Sequence, residues 1–87
     1  MTPAYLSALS ALRRVRESRL KQEVLVATLQ DRKRLAHLSS QGGVAAQFDA
    51  LDADRDLFQA QLTLAEIRLD ELLSVVQLHR AFGGRWQ

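Results

Sequence analysis

The chain has 87 residues, a formal charge of +2 from 12 Lys/Arg against 10 Asp/Glu, and no cysteine. A chain this short holds one domain at most and buries a small share of its surface, so a stable fold needs efficient helix packing or a partner. Disulfides and thiolate metal sites are excluded, and no apolar run reaches the roughly twenty residues that a membrane helix requires. Direct membrane insertion is therefore not expected. Residues Met1 to Leu12 lack the charged start and unbroken apolar core of a signal peptide, so this chain alone is expected to remain cytoplasmic.

Taken in chain order, Thr2 and Pro3 read as the N-cap and first position of a helix covering about 3–40. Along it Leu9, Leu12, Leu20, Val24, Ala27, Leu35 and Leu38 outline an apolar seam, with Ala8, Ala11, Val15, Leu25 and Leu29 as a weaker second row. The basic residues Arg13, Arg14, Arg16, Arg19 and Lys21 spread around the helix, are interrupted by Glu17 and Glu23, and have no interleaved aromatics for base stacking. They fit a solvated face or interhelix pairing, and no nucleic-acid partner is expected.

Helix breakers cluster in the interior only at Ser39, Ser40, Gln41, Gly42 and Gly43, which predicts a turn at about 41–44. A second helix follows over about 45–82, with Gly83-Gly84 as its stop. Here Val44, Phe48, Leu51, Arg55, Phe58, Leu62, Ala65, Leu69, Leu72 and Val76 recur in alternating three- and four-residue steps, the pattern of a coiled-coil seam. Leu57, Ala60, Leu64, Ile67, Glu71, Val75, Leu78 and Phe82 form another such row on a different side. Asp52, Asp56, Gln59, Thr63, Glu66, Asp70, Ser74 and Gln77 make a polar stripe that reads as the solvated face.

Two helices of nearly equal length joined by a short turn run side by side, giving an all-α class: a long antiparallel helical hairpin over residues 1–87 as a single domain. Charge separates between the arms, since residues 1–43 carry eight Lys/Arg against three acids and residues 44–87 carry four against seven. Arg32, Lys33 and Arg34 near the end of the first helix, and Asp49, Asp52, Asp54 and Asp56 near the start of the second, also complement the local helix dipoles. If the first helix covers the row through Phe48, Leu62 and Val76, then Leu57, Leu64, Ile67, Val75, Leu78 and Phe82 remain facing water. That surplus predicts self-association of the isolated chain, as a dimer of hairpins or a four-helix bundle, with opened and exchanged hairpins as a variant.

Little points to chemistry. His37 and His79 lie on different helices without convergent ligands, and Gly42-Gly43 follows a helix instead of opening one, so neither a metal site nor a phosphate loop is indicated. No catalytic residues, cofactor or metal are expected, and the chain does not read as an enzyme. Arg55 within the apolar row is either a buried charge in need of a carboxylate or a side chain that snorkels outward. Trp86 near the C-terminus could anchor on a neighbour or at a membrane interface.

The segment from Gly43 to Arg55, GVAAQFDALDADR, resembles the C-terminal repeat of TolC/OprM-type outer-membrane efflux factors, and the closing LHRAFGGRW resembles that family's terminal motif. The opening from Ala4 to Arg13 is also similar, so the resemblance covers nearly the whole chain. Ser40 stands where the family often has an aromatic, Gly42 replaces alanine, Asp54 replaces glutamine and Arg85 replaces glycine. The resemblance implies a piece of the periplasmic α-helical barrel of a trimeric drug-export duct, with a periplasmic adaptor and an inner-membrane pump as partners. It implies further that Ser40, Gln41, Gly42, Gly43 and Val44 form an adaptor-docking tip. The alternative reading of the residues is a self-contained coiled-coil scaffold or regulator, including one that binds nucleic acid through its basic first helix.

Overall fold

The computed structural model describes the backbone of residues 2–86 and the side chains of residues 4–83. It consists of two helices, α1 (Thr2–Leu38) and α2 (Val44–Trp86), joined by one 3-10 turn at Ser40–Gly42, and no strand occurs among the described residues. The fold is an all-α helical hairpin. Thr2 is already helical and is not the residue before the helix; its side chain and that of Pro3 lie outside the described residues. α2 runs through Gly83 and Gly84 to Trp86, past the expected stop. Glycine in a helix costs about 1 kcal/mol but ends it only where it adopts positive φ, and Gly43 is the glycine that does so.

The chain divides into two compact units, a turn unit of residues 21–64 and a terminal unit of residues 1–20 and 65–87. In the turn unit, Val26 packs with Leu57, Ala60 and Leu64, with Leu29 against them. Nearer the turn, Ala36 packs with Ala50 and Ala53, and Ala53 is only 1% exposed. The spacing of these residues is regular: positions 50, 53, 57, 60 and 64 on α2, and 22, 26, 29 and 36 on α1, follow the three- and four-residue steps of a seam. Alanine at the contact positions lets helix axes approach at the short end of the usual ~8–10 Å. Gln22 donates from Nε2 to the Ala60 carbonyl at 2.9 Å, so the polar member of the seam is satisfied by the neighbouring backbone.

In the terminal unit the seam holds Leu12 and Ser74, both buried, with Val15, Ile67, Val75 and Leu78 partly buried. Tyr5 meets Phe82 edge-on, with ring centroids 4.8 Å apart and planes at 75°, a favoured aromatic geometry. Glu71 lies within the seam and receives Arg19, Nε to Oε1 at 2.7 Å, and Arg16, Nε to Oε2 at 3.6 Å.

The two rows of α2 are therefore used in the opposite sense from the expectation. Leu57 and Leu64, expected to face water, are buried between the helices, and Ile67, Val75 and Leu78 are partly buried, while Phe82 of the same row is exposed as expected. Val44, Phe48, Leu51, Phe58 and Leu62 in the turn unit, and Leu69, Leu72 and Val76 in the terminal unit, are exposed. On α1 the expected seam also turns outward at Leu20, Val24, Leu35 and Leu38. Ser74, assigned to the solvated stripe, belongs to the seam.

The reason is steric and electrostatic together. Phenylalanines at 48 and 58 between the helices would hold the backbones apart. They would also withdraw Asp54 and Asp56 from Lys33, His37 and Arg32, with which they pair here. A row of small side chains flanked by complementary charges packs closer, although it buries less apolar area per residue.

Substituting Ala53 by Leu overpacks this seam and is expected to cost about 1–3 kcal/mol. Leu51→Ala, two residues away on the exposed face, should stay within about 0.5 kcal/mol of the parent. Urea titration of both variants, followed by helical circular dichroism, distinguishes the seam from the outer face.

Candidate partner-binding surface

The turn is built by local hydrogen bonds. The Ser39 amide donates to the Leu35 carbonyl at 3.3 Å and the Gly42 amide to the Ser39 carbonyl at 3.1 Å. The Ser39 hydroxyl reaches the Leu35 and Ala36 carbonyls at 3.3 and 3.2 Å, and the Ser40 hydroxyl reaches the His37 carbonyl at 2.9 Å. These bonds satisfy carbonyls that the end of α1 would otherwise leave open. Gly43 has φ 122° and ψ −172°, a region open in practice only to glycine. Its carbonyl accepts from the Gln47 amide at 3.1 Å and so starts α2.

Of the five residues expected to form a docking tip, Ser40 is half-buried, while Gln41, Gly42, Gly43 and Val44 are exposed. Val44, 68% exposed, and Phe48, 63% exposed, continue directly into Leu51. With Gln47 they line a shallow groove of ≈ 210 Å³. The apolar surface next to the turn is thus larger than the turn itself. Sequence reasoning assigned Phe48 and Leu51 to the interior, although their bulk beside the alanines at 50 and 53 was a signal that they belong outside.

Two ion pairs and a histidine–carboxylate hydrogen bond brace the turn unit across the two helices. Arg32 Nη1 lies 2.8 Å from Asp56 Oδ2, His37 Nε2 lies 2.7 Å from Asp54 Oδ1, and Lys33 Nζ lies 3.9 Å from the same Asp54 oxygen. These groups are substantially exposed, so each pair adds little stability by itself and more to register. Arg34 pairs within α1 with Asp31 at 2.8 Å. Arg55 is not a buried charge: its side chain is 78% exposed, with Nη2 at 3.9 Å from Asp52 Oδ1. Its place within the apolar row makes sense because that row faces outward.

The basic cluster of α1 does not form a free cationic stripe, because Arg16 and Arg19 both converge on Glu71. His79 is exposed in the terminal unit. The side chains of Arg85 and Trp86 lie outside the described residues. No group of three His, Cys, Asp or Glu suited to a metal ion occurs among the described residues, and none of the described helices is long and apolar enough to cross a membrane.

In the turn unit the helices meet through alanines with Val26, Leu57 and Leu64, while Val24, Leu35, Phe48, Phe58 and Leu62 are exposed. Comparison with known proteins finds relatives of one kind. The chain is 42% identical over 77 residues to the probable efflux pump outer membrane protein TtgC of Pseudomonas putida, which covers 87% of this chain and 16% of that protein. It has the same identity and coverage with the antibiotic efflux pump outer membrane protein ArpC of Pseudomonas putida. With the solvent efflux pump outer membrane protein SrpC of the same species it is 46% identical over 44 residues, 51% of this chain and 9% of that protein. The chain is similar to one segment of these efflux pump outer membrane proteins.

The chain spans 16% of the length of the first of these relatives and 9% of SrpC. No family model matches it, and no solved structure matches it significantly. The alignment with TtgC reaches across the turn into both helices, since its 77 residues exceed the length of either helix.

The two glycines of the turn should respond differently to substitution. A Cβ at Gly43 meets nothing within 4 Å but requires the unusual φ, so Gly43→Val is expected to cost about 1–3 kcal/mol through backbone strain alone. A Cβ at Gly42 meets Ala46 at an ordinary 3.8 Å, and Gly42→Ala should be neutral or stabilise by up to about 1 kcal/mol by restricting the unfolded chain. Thermal unfolding of the two variants checks the contrast; equal effects would contradict the assigned turn.

Proposed function

We propose that the chain forms one wall segment of the periplasmic α-helical part of an outer-membrane efflux duct, acting structurally and not as an enzyme. Its outward apolar rows pack on neighbouring helices of the trimeric duct, and the turn from Ser40 to Val44, extended by Phe48 and Leu51, docks a periplasmic adaptor that links to an inner-membrane pump. The observation that carries this reading is the exposure of large apolar side chains on both helices, Val24, Leu35 and Leu38 on α1 and Phe48, Phe58 and Leu62 on α2.

Such rows are costly in water. Full burial of a side chain of this size contributes about 1.5–3 kcal/mol, so several of them held in the open mark a surface meant for covering. In a duct wall each helix has a neighbour beyond its hairpin mate, and the polar stripe of α2, including Asp52, Gln59 and Glu66, remains available to water. The relatives are named as efflux pump outer membrane proteins, which supports the same placement. The isolated chain satisfies the same surface by self-association, through the Phe48 and Leu72 rows instead of the Leu57 and Leu64 row.

A chimera tests this directly. The residues of this chain replace the matched segment of the Pseudomonas putida TtgC protein, and efflux is measured in cells lacking the native protein. The chimera is expected to support efflux, and the same chimera carrying Phe48→Asp and Phe58→Asp is expected to lose at least about tenfold of it. An inactive chimera that is made and folded, or an aspartate variant as active as its parent, contradicts the proposal.

A further inference from the structure

We infer that the Arg19–Glu71 ion pair selects which face of α2 packs against α1 in the terminal unit. Burial of apolar area alone does not decide between the faces, because Leu69, Leu72 and Val76 on one are matched by Ile67, Val75 and Leu78 on the other, and the second face contains Glu71 and Ser74. What the seam offers instead is a charge match. Glu71, 18% exposed in its side chain, meets Arg19 at 2.7 Å, with Arg16 at 3.6 Å on its second oxygen.

Turning α2 to bring its apolar row inward carries Glu71 away and leaves the Arg19 guanidinium, itself largely covered, against leucine and valine without this carboxylate. Separating one member of a partly buried pair from the other costs more than replacing both by apolar groups. The pair therefore penalises the wrong face more than it stabilises the right one. A single polar residue in a coiled-coil seam fixes register by the same logic. The consequence is that the apolar row stays outward whether or not a partner is present. The inference concerns the hairpin itself and stands apart from the efflux reading.

Because the chain has no cysteine, single thiols report the facing residue cleanly. Ser74→Cys, in the seam, and Leu72→Cys, outside it, are alkylated separately in the full chain. The seam thiol is expected to react at least about tenfold more slowly. In an Arg19→Gln/Glu71→Gln background, which removes both charges without adding apolar area to the seam, that ratio should fall to about one or invert, and in Arg19→Glu/Glu71→Arg it should return. A tenfold ratio that persists in the glutamine background overturns the inference, as does a lost ratio that charge reversal fails to restore. If the glutamine background loses its helical signal, Glu71→Gln alone decides, since it keeps the shape and removes the charge. A reduced ratio supports the pair as selector, and an unchanged one refutes it.

Discussion

Everything else in this hairpin follows from the closeness of two helices along a seam of short side chains. Ala36, Ala50 and Ala53 nearest the turn, and Ala60 beside Val26, Leu57 and Leu64, leave little room between α1 and α2 in the turn unit for side chains as large as phenylalanine. Phe48, Leu51, Phe58 and Leu62 are turned outward as a result. In a free-standing globular domain this allocation would be backward, because the hydrophobic driving force scales with the apolar area removed from water. It is sound in a wall, where every helix has more than one neighbour and the intrachain contact is only one of those it makes.

Charge supports the same arrangement from the flanks. The basic end of α1 and the acidic start of α2 are complementary in sequence, and the structure uses them across the seam, Arg32 with Asp56 and Lys33 and His37 with Asp54. Exposed pairs of this kind contribute about 0–1 kcal/mol each, too little to drive folding. They suffice to discriminate between facings of similar apolar content. Glu71 is the more demanding case, because it lies inside the seam of the terminal unit, where its removal from Arg19 would be felt most.

Much of the fold was legible in the sequence. The breaker cluster at Ser39–Gly43 locates the turn because Gly43 needs a φ that other residues avoid, and the three- and four-residue steps on α2 mark both of its rows as helical faces. Which row faced inward was not legible from apolarity, since the ranking by size gave the wrong answer on both helices. The informative residues were the modest ones. Alanines at 50, 53 and 60, and polar Arg19 and Gln22 in step with Leu12, Val15, Val26 and Leu29, marked a close seam with internal partners. Their signal is complementarity between helices, which a scan for apolar periodicity along one helix does not weigh. The end of α2 was misread for a related reason: a glycine pair permits a stop, but without a positive φ it does not impose one.

The central claim is that the small-residue row faces the partner helix and the phenylalanine row faces away, and paired cysteines in this cysteine-free chain test it most directly. With Ala36→Cys and Ala53→Cys, mild oxidation should give rapid disulfide closure within a single chain, because these positions pack together in the seam. With Leu38→Cys and Phe48→Cys, both exposed, closure within a chain should be slow. Fast intrachain closure of the second pair, with the first remaining reduced, would contradict the account.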